Sequence, residues 1–345
     1  MSLDLSVAAL DSGIKYHCFH ENFSHTIKAN VIALVHLELM LQNGLTVQEL
    51  KDRIYDTTEL WGGMPRWKQP QIYLKEARYD LACHGVVRVF SAFDVFLSEF
   101  EGEVSSWQDF SKKRYGSQAF KEISRKASKA DDEKNEEEDV ARCFRTMDRF
   151  GWTLRYEQLI KPLYRYYRLS RNCIAHRNAV VSPALADASA DPALQVAKTS
   201  WCQITHELSE PPVKVLTSGK KMEFTHQDAI FCSSLSRGIA LQINKLALDI
   251  MGLNGLVYFK TKKNILNENL DFPVTSGSNL TPLLADQLRQ TNHVKGVLAN
   301  DVKTALTELY LLRSSKDAFN ELKVRRFPKI NIEKRNIKTR IQYVK

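Results

Sequence analysis

Apolar residues recur at three- and four-residue spacing along most of this chain, and polar runs mark where the spacing fails. Residues 21–42 (ENFSHTIKANVIALVHLELMLQ) carry helical periodicity. Thr46-Val47-Gln48-Glu49 then opens a shorter helix, expected over about residues 46–56, with a capping pattern. Trp61-Gly62-Gly63-Met64-Pro65 breaks the pattern and Pro70 closes a loop. The clearest stripe is Tyr79, Cys83, Val86, Phe90, Phe93, Leu97 and Phe100, which predicts a continuous helix from about 74 to 101. A polar stretch follows, an acidic insertion around 128–139. Seven acids fall in the nine positions from Asp131 to Asp139, and their mutual repulsion predicts an exposed or disordered segment.

Helical pattern resumes near Val140 and runs, with a possible kink at Pro162, to about residue 176. Pro183 and the Ala/Asp/Ser-rich stretch to Pro192 read as a loop. The period changes over 200–224: Ser200–Ile204, Val213–Leu216 and Met222–Phe224 are short and β-branched or aromatic. Ser218-Gly219 lies between the last two, which is a hairpin signal. Thr225-His226-Gln227-Asp228 is a capping box for a long helix with Phe231, Leu235, Ile239, Ile243, Leu246 and Ile250 on its apolar side, and Gly252 fits its stop. Residues after 253 read as irregular or extended, then as a helix at about 299–323, then as a basic arm. The expected fold class is mainly α: an up-and-down helical bundle with a small β-hairpin insertion and N- and C-terminal extensions. The division is 1–73, 74–252 and 253–345.

Charge sharpens one part of this picture. The formal net charge is +9, yet Lys323–Lys345 alone holds nine Lys and Arg against Glu333, so the body is nearly neutral. The arm 323–345, with Lys323, Arg325 and Arg326 at its start, could touch RNA, DNA or an acidic protein surface. Its interleaved Phe327, Ile330, Ile332 and Ile337 could instead dock it on a partner protein. No run of eighteen apolar residues occurs and the first residues lack a basic segment followed by an apolar one, so neither a signal peptide nor a membrane span is expected. The six scattered cysteines contain no CxxC pair and read as reduced thiols, which places the chain in the cytoplasm. His17, Cys18, His20 and His25 lack a second ligand pair, so they read as surface or packing side chains and no metal is expected. No Walker loop, dinucleotide fingerprint, GxSxG or HExxH occurs, which leaves nucleotide hydrolysis, hydride transfer and serine or zinc proteolysis unsupported.

The chemistry-bearing stretch is Arg171-Asn172-Cys173-Ile174-Ala175-His176. Histidine alone titrates near neutral pH without help, and a guanidinium neutralises charge on a phosphate through a planar donor fork. On an ideal wheel, Tyr156, Ile160, Leu163, Tyr164, Tyr167 and Ile174 share a face with Arg171 in its middle, while Arg165, Arg168, Asn172 and His176 gather on the polar side. Arg171 and His176 stand about 140° apart, so they converge only through the long arginine side chain or a loosened helix end. Asp94, at the edge of the 79–100 stripe, is the expected partner of Arg171. Tyr166 and Trp152 could stack unpaired bases.

RNCIAH, preceded by LYRYYRLS and followed by RNAVVS, resembles the Arg-x(4–6)-His signature of HEPN-domain ribonucleases, and SAFDVFLSEF (Ser91–Phe100) resembles the acidic-aromatic first long helix of that family. The resemblance covers about 74–252. It implies a four-helix bundle that dimerises so that two motif helices build one composite site. It also implies cleavage of tRNA or mRNA loops to 2′,3′-cyclic phosphate and 5′-hydroxyl ends without metal or cofactor. Arg171 would hold the phosphate, His176 would exchange protons, and Asn172 would orient either; Asp94 would support them. Arg165, Arg168, Tyr166 and the arm would contact RNA. A toxin–antitoxin or phage-defence role fits the family, with an antitoxin or regulatory protein as a further partner. Where family members paired with a nucleotidyltransferase antitoxin carry a tyrosine two positions after the histidine, this chain has Asn178, so regulation by that route is not expected. The alternative reading is a noncatalytic HEPN-type module that binds RNA or protein.

Overall fold

The structure is a computed structural model that describes residues 3–49, 52, 69–115, 136–205, 209–262, 274–275, 280–309 and 311–313. It is mainly α. The long helices are α1 (Asp11–Gln42), α2 (Pro70–Tyr115), α3 (Glu136–Phe150), α4 (Glu157–Arg177), α5 (Pro183–Ala190), α6 (Pro192–Thr205) and α7 (His226–Thr261). Two further helices, α8 (Leu280–Gln290) and α9 (Ala299–Glu308), complete the described set. A two-stranded parallel sheet pairs β1 (Val274–Thr275) with β2 (Leu312–Arg313).

Helix α2 is the axis of the molecule. It packs on α1 and α7 along one side and on α4 along another. Its sequence explains this: Cys83, Val86, Phe90, Phe93, Leu97 and Phe100 are all buried, and Tyr79 lies partly buried against the same core. Each buried Phe or Leu stabilises the fold by about 1.5–3 kcal/mol, so this stripe alone commits α2 to the interior. By length and composition α2 is apolar enough over 70–111 to cross a membrane, and here its apolar stripe is packed against the other helices. Tyr16, Phe23 and Ile27 of α1, and Val302, Ala305 and Leu306 of α9, share one core with α2 and α7. Residues expected as terminal extensions thus contribute to the same hydrophobic cluster.

Several expectations are corrected. The 183–192 stretch is helical, because Ser182 caps α5 by accepting from the Leu185 amide at 3.2 Å and prolines start both α5 and α6. Ser200–Ile204 belongs to α6 rather than to a hairpin. The Ser218-Gly219 turn does form, but the strand-like segment after it pairs elsewhere: the Val181 amide donates to Lys220 O and the Met222 amide to Ala179 O, each at 2.9 Å. No β-hairpin forms over 200–224 among the described residues. Gly252 does not end α7; it kinks it, with φ 58° and ψ −156°, and the helix continues to Thr261 because Leu256, Val257 and Tyr258 bury themselves. The capping boxes at Thr225/Asp228 and Thr46/Glu49 both form. The helix expected over 299–323 ends at Glu308, and Leu312–Arg313 is paired in the small sheet. Of the acidic insertion, 136–139 form the first turn of α3 and the rest lies outside the described residues, as do the arm and most of 46–68.

Two features of this packing are testable. At Gly85 an added Cβ would sit 2.8 Å from the Ala229 Cβ, so glycine sets how closely α2 and α7 approach. Gly85→Leu should destabilise the fold by about 1–3 kcal/mol through overpacking, read as a lower urea midpoint.

The second feature is Glu103, which closes the start of α1 from α2. Its Oε1 accepts from the Ser12 amide at 3.2 Å and its Oε2 from the Ser12 hydroxyl at 2.5 Å. Burial pushes its carboxyl up to about 7, against the lowering effect of the Ser12 bonds. His20 moves the other way, down to about 4, through burial and the nearby Arg237 charge. For Glu103 the folded state binds more protons than the unfolded one between about pH 4.5 and 7, so its contribution is complete at low pH and is lost as pH rises to 7. His20 makes stability rise with pH between about 4 and 6.5. Glu103→Gln should therefore match the parent near pH 5 and exceed it at pH 8 by on the order of 1–2 kcal/mol, measured by chemical denaturation at both pH values.

Candidate functional site

Helix α4 carries the Arg171–His176 segment, and its surroundings differ from the wheel's account. Leu159, Ile160, Leu163, Tyr164, Tyr166, Tyr167, Arg168, Leu169, Ser170 and Cys173 are all buried, which is most of the circumference. The reason lies in its neighbours: α2, α3, α5, α6 and α7 all pack on α4, and α2 itself covers part of the expected polar side. Arg168 is the consequence. Its side chain is 3% exposed and bonds both oxygens of Asp94, at 3.0 and 2.9 Å, with its guanidinium 5.2 Å from the centre of the Phe90 ring.

The partner expected for Arg171 thus belongs to Arg168, one turn earlier. Arg168 lies in the interior and cannot line an RNA cleft. Tyr166 is also corrected: it is buried, its ring edge-on to Tyr167, and offers no stacking face to a base. Trp152 packs its ring near Phe100 and Phe150. Arg165 is half-buried on the side of α4 that bears Asn172 and His176.

Arg171, Asn172 and His176 do come together. Arg171 Nη1 donates to Asn172 Oδ1 at 3.1 Å and stands 3.4 Å from His176 Nε2. The arginine bridges the angular gap by reach, as the wheel required. Arg171 and Asn172 are partly buried while His176, Arg177 and Asn178 are exposed, so the cluster opens to solvent at the end of α4. Arg171 Nε is enclosed without a hydrogen-bond partner. Among the described residues no carboxylate forms an ion pair with Arg171.

The helix end is built to hold this cluster. Asn178 and Ala179 both take left-handed backbone, φ 51° and 61°, and the Ala179 amide bonds back to Cys173 O at 3.0 Å. That arrangement satisfies a terminal carbonyl and turns the chain sharply after Arg177. The partial negative charge of the helix end favours the Arg177 cation. The exit strand 179–181 is held by pairing with 219–222, and the Ser182 amide points at Cys173 Sγ at 3.4 Å. This pairing brings exposed Lys220 and Lys221 beside the end of α4, with Lys221 Nζ 4.7 Å from the Tyr79 ring centre. Sequence reasoning missed both lysines because it paired their segment with 213–216. The turn at Ser218-Gly219 was the only signal pointing to them.

His17, Cys18, His20 and His25 do not form a cluster. His17 pairs with Glu21 at 3.1 Å, His20 Nδ1 lies 2.8 Å from Ser233 Oγ, and no group of three metal-ligating side chains converges among the described residues. Lys323, Arg325 and Arg326 lie outside the described residues. No protein-family model, curated protein or solved structure matches the chain.

The Asp94–Arg168 pair makes a sharp prediction. Asp94→Ala leaves a buried guanidinium without its carboxylate, and breaking such a pair costs about 3–5 kcal/mol. Thermal or urea unfolding should register this loss. A carboxylate that instead served Arg171 at the exposed helix end would leave stability nearly unchanged on removal.

Proposed function

We propose that this chain is a metal-independent endoribonuclease of the HEPN type, acting on RNA loops such as those of tRNA or mRNA. The observation that carries the reading is the convergence of Arg171, Asn172 and His176 at a solvent-open helix end, with the arginine unneutralised by any described carboxylate. A guanidinium in that state is suited to a phosphodiester, and its spare donors match non-bridging oxygens. Asn172 orients the guanidinium through Oδ1.

In the proposed reaction the substrate's own 2′-oxygen attacks the phosphorus and the bond to the 5′-oxygen breaks. The 2′-hydroxyl proton goes to a base, and the departing 5′-oxygen receives one from an acid. His176 serves one of these roles, and in the proposed homodimer His176 of the second copy serves the other. The products are a 2′,3′-cyclic phosphate and a 5′-hydroxyl. Because the nucleophile is inside the substrate, positioning and proton transfer carry the rate. Arg177, Lys220 and Lys221 would add electrostatic attraction for the flanking backbone. A cytoplasmic toxin or phage-defence effector, held by an antitoxin or regulatory protein, is the setting that the resemblance suggests.

Incubation with total RNA in EDTA, with end mapping, tests the reading. Cleavage should persist and leave cyclic phosphates, and His176→Ala should lose at least about 10²–10⁴-fold in rate. A requirement for magnesium, or full activity in His176→Ala, would exclude the mechanism.

A further inference from the structure

A second polar site lies apart from the α4 cluster, in a cleft of about 1100 Å³ between the N-terminal segment 5–9, the start of α1, the middle of α7 and the loop at 293–295. Its walls are fixed by hydrogen bonds. Asn244 of α7 accepts from the Leu10 amide at 2.8 Å and donates to Ala8 O at 2.9 Å. Asn292 donates to Ala9 O at 2.8 Å, and residues Asp4 and Lys295 exchange backbone bonds at 2.9 and 3.1 Å. Gly13 allows the close approach of α1 to α7, since a Cβ there would lie 3.0 Å from Asn244 Oδ1. The cleft is therefore pre-formed, as small-ligand sites usually are, and is slightly larger than their common range of about 300–1,000 Å³.

Its lining is cationic over an apolar floor. Arg237, Lys245 and Lys295 contribute three positive charges against Asp249, a formal balance of +2. Arg237 and Lys245 stand eight residues apart on α7, with Leu241 midway between them, so all three occupy one row of the helix. Arg237 Nε and His17 Nδ1 are both enclosed without a hydrogen-bond partner. Of the two, the guanidinium Nε can only donate, and a buried donor is costly to leave unmade and marks where an acceptor belongs. Ile14, Ala240 and Leu248 form the apolar part, and Val7 and Leu241, 50% and 47% exposed, stand free at the surface beside it.

We propose that this cleft binds a free mononucleotide, with its phosphate on Arg237, Lys245 and Lys295 and its base against Leu241 and Val7. A phosphate monoester carries about −1.5 to −2 charges near neutrality, which matches the lining's formal balance. The apolar rim gives the base a surface that inorganic phosphate would not use. The site shares no residue with the Arg171–His176 cluster, so it stands whether or not the chain cleaves RNA.

Calorimetric titration of the full chain with adenosine 5′-monophosphate, adenosine, inorganic phosphate and a 5′-phosphorylated RNA trinucleotide tests this. The monophosphate should saturate the protein, with adenosine and phosphate each at least about tenfold weaker, since each makes only part of the contact. Arg237→Gln should weaken the monophosphate by about tenfold or more, and Arg171→Ala should leave it unchanged. Lys245 and Leu241 are exposed, so Lys245→Gln and Leu241→Asp carry the test should Arg237→Gln fail to fold. Each should weaken binding severalfold. No saturation up to about 1 mM monophosphate, or loss of binding in Arg171→Ala, overturns the proposal. Binding that survives all the cleft substitutions does so too. Equal affinity for inorganic phosphate, or tighter binding of the trinucleotide, would refute the free mononucleotide as occupant. RNA cleavage by the Lys245→Gln protein should stay at the parental rate, which separates failure of this site from failure of the nuclease reading.

Discussion

The buried ion pair in which Arg168 Nη1 donates to both oxygens of Asp94 is the constraint around which the centre of this fold is arranged. A guanidinium at 3% exposure survives only with its charge answered, because desolvation costs several kcal/mol per ion. Asp94 supplies two bonds and the Phe90 face lies beneath the guanidinium. Tyr164 closes the same region through ring contacts with Phe90 and Phe93, and burial raises its hydroxyl pKa. The pair fixes both the register and the rotation of α4 on α2. Turning α4 by one residue would carry Arg168 about 100° away from Asp94 and bury an unanswered charge.

That rotation determines what stands at the end of α4. With Arg168 directed at α2, Arg171 and Asn172 fall at the edge of the packed region and His176 beyond it. The left-handed residues Asn178 and Ala179 then turn the chain back toward 219–222. The open end of the helix is thereby bordered by backbone that is hydrogen-bonded and rigid. Groups meant to meet a ligand in one geometry gain from such support, since positional looseness in the reacting groups lowers rate steeply.

How far the sequence discloses this depends on which neighbours a helix has. The stripe of α2 is legible because large apolar residues repeat without exception from Cys83 to Phe100, and the capping boxes at Thr46 and Thr225 are legible because they are local. Arg168 was placed on a polar face because a wheel drawn from Tyr156 to Ile174 assumes one buried side. Several helices pack on α4 instead: α2 itself covers Arg168, and α5 is built largely from Ala, Ser and Asp after a proline, a composition that also reads as loop. Tyr166 was misjudged for the same reason. Gly252 carries a stop signal that is locally correct, since its φ is positive, but the burial of Leu256, Val257 and Tyr258 restarts the helix at once. Tertiary burial overrode local chemistry in each case. The convergence of Arg171 with His176 is legible only as a condition on side-chain reach, and the folded chain meets it.

The division of labour between the two arginines has a chemical consequence. Had Asp94 held Arg171, the guanidinium nearest His176 would be neutralised by a carboxylate and its fork filled. A phosphate would then have to displace an existing charge pair. Because Arg168 occupies Asp94 instead, Arg171 keeps a full positive charge whose only described side-chain partners are an amide oxygen and an imidazole nitrogen. Neither neutralises it. One buried pair thus lets a neighbouring cation stay unpaired at the surface, where an anion can be its natural complement.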